Sequence, residues 1–219
     1  MTPVAASSEE PPIRRILSID GGGIMGTQPA SFLASLEEDL DRPIGEYFDL
    51  IAGTSTGGIL AIGLAMGIPA RDLLDLYVRR GPHIFGQSGG TLTTFAGDAW
   101  RRLKHAGDAW RRLKHIVAPK HDADLLRTEL GTVLGSKRIG DAKTRLVIPA
   151  WDADHRGVYI FKTAHHSRLK TDYKRLAVDA AMATAAAPSY YKRHRTADDV
   201  GLLDGGVWAN NPIALAVVE

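Results

Sequence analysis

The 219-residue chain contains no cysteine, which excludes disulfides and thiolate metal sites. No apolar run approaches the ~18 residues that a membrane-spanning helix requires, so no transmembrane segment is expected. The opening stretch, MTPVAASSEEPPIRR, has acids and prolines where a secretory signal would carry an apolar core. A cytoplasmic protein, peripheral at most on a membrane, is the resulting expectation. Charge of one sign is also scarce: 27 Lys and Arg face 25 Asp and Glu, for a net charge of +2. So weak a balance does not point to nucleic acid as a partner. A phosphate loop ending in Gly-Lys-Ser/Thr is missing as well, and neither a cofactor nor a metal is expected.

Glycine, by contrast, is plentiful at 23 residues, and it gathers at the junctions of apolar segments. The stretch 47–67, YFDLIAGTSTGGILAIGLAMG, shows this most clearly. Phe48 to Ala52 is a short apolar run ending in Gly53, which reads as a buried strand. Gly57 to Met66 is apolar on every side, as a helix buried within the protein would be. Between them stands Gly53-Thr54-Ser55-Thr56-Gly57, the G-x-S-x-G pattern of a nucleophile elbow in its proper strand-to-helix context. The reversal lifts the Ser55 hydroxyl clear of the sheet, and the helix that follows aims its positive end at it.

Taken in order, residues 1–12 are expected to form a disordered tail and 13–219 a single domain. Ile13 to Asp20 reads as a strand that runs into Gly21-Gly22-Gly23-Ile24-Met25-Gly26. A helix is expected from Thr27 to about Leu40, with Phe32, Leu33, Leu36 and Leu40 on one stripe. After the elbow and its helix, Ala70 to Arg80 reads as an amphipathic helix with Leu73, Leu74, Tyr77 and Val78 inward. This alternation predicts an α/β fold with a largely parallel sheet. Farther on, a helix is expected over 122–134, a hairpin of strands 145–151 and 158–163, and an Ala-rich helix over 176–187 stopped by Pro188. The chain stops at Glu219, barely two turns into its last predicted helix, so a truncated C-terminus is expected.

Residues 81–120 interrupt the alternation. The decapeptide AGDAWRRLKH occurs twice in tandem, at 96–105 and 106–115. Trp100 and Leu103, and likewise Trp110 and Leu113, stand at helical i, i+3 spacing. Trp beside Arg and Lys suits a helix lying in a membrane interface. A ten-residue period, however, rotates the second pair by about 80° from the first. A surface insertion created by duplication is therefore the preferred reading, since loops accept insertions.

The chemistry suggested by these motifs is acyl transfer. Ser55 needs a base and donors for an oxyanion. The glycine run Gly21–Gly23, closed by Gly26 and placed between a strand and a helix, lets backbone N–H groups converge without an intervening Cβ. For the base, Asp204 stands at the end of an apolar segment and before Gly205-Gly206, whose turn would present its carboxylate to a neighbouring hydroxyl. No histidine follows Asp204, so the Ser–Asp–His chain order of α/β-hydrolases does not apply. A triad using His165, His166 or His194 with another acid is an open alternative. A dinucleotide site at Gly21–Gly26 is disfavoured, because Asp39 and Asp41 fall before the second strand rather than at its end. A non-catalytic lipid-binding module of the same fold is the remaining alternative.

Three glycine motifs in the order GGGxxG, GxSxG and DGG resemble the patatin-like phospholipase family. The resemblance runs from about Ile16 to Pro212 and takes in the AAAPSYY run (185–191) and Asn210-Asn211-Pro212. It implies a patatin-like three-layer sandwich with a mostly parallel central sheet flanked by helices. It implies further a Ser-Asp dyad of Ser55 and Asp204 without histidine, and an oxyanion hole from the Gly21, Gly22 and Gly23 backbone. The implied substrate is a glycerolipid, above all a phospholipid, met at a membrane surface. The sequence departs from the family at Met25, where Arg or Lys is usual.

Overall fold

The computed structural model describes residues 13–84 and 122–219. The expected tail, most of the expected insertion and both copies of the decapeptide lie outside the described residues. The elements run β1 (Ile16–Ile19), a 3-10 turn (Gly23–Gly26), α1 (Thr27–Glu38), β2 (Leu50–Gly53), α2 (Thr56–Ala65), α3 (Ala70–Asp75), a π-helical turn (Leu76–Arg80) and α4 (Gly81–Ile84). They resume with α5 (Ala123–Leu134), β3 (Arg145–Asp152), β4 (Gly157–Lys162), α6 (Ala177–Thr184), β5 (His194–Arg195), β6 (Gly201–Asp204) and α7 (Ile213–Val217).

The α/β class is as expected, with a six-stranded mixed sheet built on a parallel unit of β1, β2 and β3. β4 returns from β3 as the expected antiparallel hairpin, and β6 with β5 completes the sheet in antiparallel sense. Side chains alternate across it: Ile51, Leu146, Ile148 and Ala150 enter the main core with α2 and α6. Leu50, Ala52 and Val147 face the other way, onto Ala216 of α7. Helices therefore lie on both faces, which makes three layers. Every residue of α2 is buried, as its all-apolar surface required. At α5, Asp122 caps the first turn, its Oδ1 accepting from the Asp124 amide at 2.8 Å; such a cap stabilises a helix by ~1 kcal/mol.

Two predicted helix faces differ from those observed. In α1 the buried stripe is Ala30, Leu33 and Ala34, while Phe32 is 67% exposed and Leu36 41%. The small alanines, not the large residues, allow the helix to pack closely. In the second case Leu73, Leu74 and Tyr77 are buried but Val78 is 56% exposed. The wider π turn that begins at Leu76 advances each residue by less than an α turn does. The phase set by Leu73 and Leu74 is thereby lost, and Val78 faces solvent.

The register of β3 explains how distant parts of the chain meet. Val147 pairs with Ala52 of β2 and with Lys162 of β4, so those strands occupy opposite edges. Ala150 pairs with Tyr159 of β4 and with Asp204 of β6, so β6 shares the β2 edge. β2 runs parallel to β3 and β6 antiparallel, so the C-terminal tips of β2 and β6 point at each other along one edge. Ile148 and Pro149 lie between them. A proline costs little there, since neither strand pairs with it and its carbonyl accepts from Thr184 Oγ1 at 2.7 Å.

Candidate active site

The two opposed strand tips carry Ser55 and Asp204. Just beyond β2, Ser55 sits at φ 55°, ψ −124°, a left-handed φ that costs a non-glycine residue of order 1–3 kcal/mol and persists only where surroundings enforce it. The enforcement is visible on each side. The Thr54 amide donates to the Ile19 carbonyl at 3.1 Å, and Thr54 Oγ1 donates to the Ala209 carbonyl at 2.7 Å. The Ser55 amide donates to Thr184 Oγ1 at 3.0 Å. Tyr77 donates through its hydroxyl to the Thr56 carbonyl at 2.7 Å, inside the core. Gly57 is obligatory on steric grounds, because a Cβ there would stand 2.4 Å from the Ile19 carbonyl oxygen and 2.5 Å from that of Asp20.

Ser55 Oγ donates to Asp204 Oδ2 at 2.6 Å, across 149 residues of sequence. The other carboxylate oxygen, Oδ1, accepts from the Gly206 amide at 2.7 Å, which the turn after β6 folds back onto it. Asp204 is only 5% exposed. Burial pushes its carboxyl up to about 6, against the opposing pull of the Ser55 hydroxyl and the Gly206 amide. A short, charge-assisted hydrogen bond in a water-poor setting is a geometry in which a hydroxyl proton can be taken by the carboxylate.

The glycine loop lies against the same strand tips. The Gly21 amide donates to the Asn210 carbonyl at 3.1 Å, and Asn210 Nδ2 donates to the Gly21 carbonyl at 3.2 Å. The Gly22 amide donates to Thr56 Oγ1 at 3.2 Å. Among the described residues no acceptor meets the Gly23 amide, and Gly23 takes φ +58° with nothing within 4 Å of where a Cβ would be. Of the three amides expected to converge on an oxyanion, two are engaged by the protein itself and one is open. Gly26 packs beneath this loop against Tyr77 and Thr56, and Gly205 beneath the facing turn against the Pro149 carbonyl. Gly53 closes the elbow against Gly57 in the same manner.

The histidines weighed in the sequence are engaged elsewhere. His165 Nδ1 pairs with Thr163 Oγ1 and its Nε2 with Glu219. His166 Nδ1 accepts from the Arg168 amide. His194 is buried 3.7 Å from Asp179, and desolvation holds its imidazole below the usual range. Among the described residues none of these three bonds to Ser55 or Asp204. Conversely, Thr54, Thr56 and Thr184 hold the elbow and the glycine loop, yet sequence reasoning passed over them. Thr54 and Thr56 flank Ser55 and were open to notice. Thr184 gave only the faint signal of a hydroxyl at the end of an otherwise apolar, Ala-rich helix.

Comparison with known proteins places the chain in a family. The chain is 39% identical over 202 residues to a cGAMP-activated phospholipase of Pseudomonas aeruginosa (strain BWHPSA011 / Pa011), covering 92% of this chain and 55% of that protein. It is 35% identical over 246 residues to Patatin-like protein 2 of Oryza sativa subsp. indica, covering 100% of this chain and 56% of that protein. The chain thus spans about half the length of the curated relatives it matches. In fold it is similar to VipD from Legionella pneumophila, with a TM-score of 0.50 at 14% identity over 90% of this chain and 46% of that one. The sequence profile described as Patatin-like phospholipase matches residues 17–217, and the chain belongs to that family.

Proposed function

We propose that this chain is a serine lipid acyl hydrolase that cleaves fatty-acyl esters of glycerolipids, phospholipids above all, through a Ser55–Asp204 dyad. The observation that carries the proposal is the 2.6 Å hydrogen bond from Ser55 Oγ to Asp204 Oδ2, made by a serine held at positive φ. Membership of a phospholipase family supports the substrate class.

In the proposed reaction the Ser55 hydroxyl proton passes to Asp204 Oδ2 as Oγ bonds to the ester carbonyl carbon. The carbonyl π electrons move onto oxygen, and the resulting oxyanion meets the open Gly23 amide. The Gly22 amide exchanges Thr56 Oγ1 for the same oxyanion, while Gly21 keeps its hold on Asn210. Loss of one such donor typically removes ~3–4 kcal/mol of transition-state stabilisation. Collapse of the tetrahedral species breaks the bond to the alcohol oxygen, which leaves with the proton from Asp204. Acyl-Ser55 is then attacked by water, whose proton Asp204 takes; a second collapse returns that proton to Ser55 Oγ and releases the fatty acid. An acid of ordinary pKa near 3.9 is a weak base for a hydroxyl, so the shift of Asp204 to about 6 narrows the mismatch while leaving the carboxylate ionised at neutral pH. Turnover should accordingly fall as pH drops through about 6.

The direct experiment is fatty-acid release from phosphatidylcholine and phosphatidylglycerol liposomes by wild type, Ser55→Ala and Asp204→Asn, with labelling by a fluorophosphonate. Wild type should hydrolyse lipid and take up the label, and both variants should lose turnover while remaining folded. Near-normal turnover in Asp204→Asn would remove the dyad.

A further inference from the structure

We infer that Thr184 is a positioning residue for the proposed reaction, and the inference rests on Ser55 acting as the nucleophile. Thr184 ends α6 and is fully buried. Its Oγ1 accepts the Ser55 amide at 3.0 Å and donates its own proton to the Pro149 carbonyl at 2.7 Å. One hydroxyl thus ties the strained elbow to β3 at the gap between the opposed strand tips. Two residues on, the Ala186 carbonyl accepts the Asp204 amide at 3.0 Å. The end of α6 and the backbone just past it therefore grip the N–H of both reacting residues, the Thr184 hydroxyl holding the serine and the Ala186 carbonyl holding the aspartate.

Two consequences follow from that grip. The separation of Ser55 and Asp204 is set by a single rigid segment, residues 184–186, rather than by the loops that enter the site. In addition, the Ser55 amide points at Thr184 and is withdrawn from the oxyanion. The methyl group reinforces the contact: a Cβ on Gly58 would stand 2.7 Å from Thr184 Cγ2, so α2 leaves room for this side chain and little more.

Thr184→Val keeps the shape and removes both hydrogen bonds, whereas Thr184→Ser keeps both bonds and removes the methyl group. Displacing a reacting atom by about an ångström costs up to ~100-fold in rate. Thr184→Val should therefore reduce kcat and the fluorophosphonate labelling rate by about tenfold or more, with KM within about twofold. Hydrogen exchange at the Ser55 amide, protected in wild type, should accelerate by at least about tenfold. Thr184→Ser should restore labelling and protection to near wild type. A purely structural role would lower the melting temperature of both variants and leave the labelling rate of folded protein unchanged. Wild-type labelling in Thr184→Val, or equal losses in the Val and Ser variants, would overturn the positioning role. If wild-type protein took up no phosphonate, the nucleophile reading would fall and the positioning role with it, so the two failures are told apart.

Discussion

The elbow and the glycine loop flank the Ser55–Asp204 pair but are held in opposite ways. Around Ser55 the amides of Thr54 and Ser55 and the hydroxyls of Thr54 and Ser55 all have protein partners, and the backbone is strained and enclosed. The glycine loop is anchored at Gly21 and Gly22 and then opens, with Gly23 left-handed and unobstructed. The difference fits the role proposed for each. A nucleophile must stand in one place before substrate arrives, and only over-determined packing keeps a non-glycine residue at positive φ. A donor for an oxyanion is most readily supplied by an amide without an internal partner, as at Gly23.

The contrast is most easily broken by adding one methyl group to each side. Gly57→Ala should be the most damaging substitution, since its Cβ meets two backbone oxygens that cannot swing aside. A loss of about 3 kcal/mol or more is expected, at the upper end of overpacking, read as a lower denaturant midpoint or as insoluble protein. A soluble Gly57→Ala of wild-type stability would show that the elbow is looser than its contacts imply.

Asp204→Asn sharpens the comparison from the side of the charge. The carboxyl is raised to about 6, so folded protein keeps a proton that the unfolded chain releases near its ordinary pKa. Its contribution to stability is therefore lost as pH rises from about 4 to about 6 and stays lost above that. In this variant the new side-chain amide would accept from the Gly206 N–H, donate to Ser55 and carry no charge. The variant should be inactive yet more stable than wild type by about 3 kcal/mol at pH 8, with the advantage fading toward pH 4. Denaturant melts at the two pH values test this, and equal stability at both would remove the buried-charge account.

Gly23→Ala should be the mildest of the three. Nothing blocks the added methyl group, so only the left-handed backbone resists it, at ~1 kcal/mol. Stability should fall slightly and the phosphonate labelling rate more visibly, because the loop would shift the open amide. A labelling rate matching wild type would move the oxyanion donor elsewhere in the loop.

What could be read from the sequence was local. Gly53, Gly57 and the all-apolar α2 announce the elbow because strand, turn and helix each leave their mark within a dozen residues. Gly21–Gly23 and Asp204-Gly205-Gly206 are likewise turns that glycine makes possible. What could not be read depended on partners far away. Thr184 meets Ser55 across 129 residues, and a lone hydroxyl at the end of an apolar helix does not say which residue it will meet. The head-on approach of β2 and β6 was equally hidden, since strand patterns state which residues are buried but not which edge of β3 they share. The exposed Phe32 and Val78 show the same limit at helix scale, where close packing by alanines and a π turn outweighed hydrophobic periodicity.

The span of the Ser55–Asp204 bond has a consequence for how the protein comes into being. Its two ends are separated by 149 residues, and the contacts that steady them cross 129, 155 and 189. Contacts so remote in sequence form late, after the entropy of closing long loops has been overcome. A partly made or partly folded chain therefore lacks the pair altogether, and an ester-cleaving activity would switch on only when the last strand has docked. If the chain carries the proposed activity, the first trace of turnover would be a marker of completed folding.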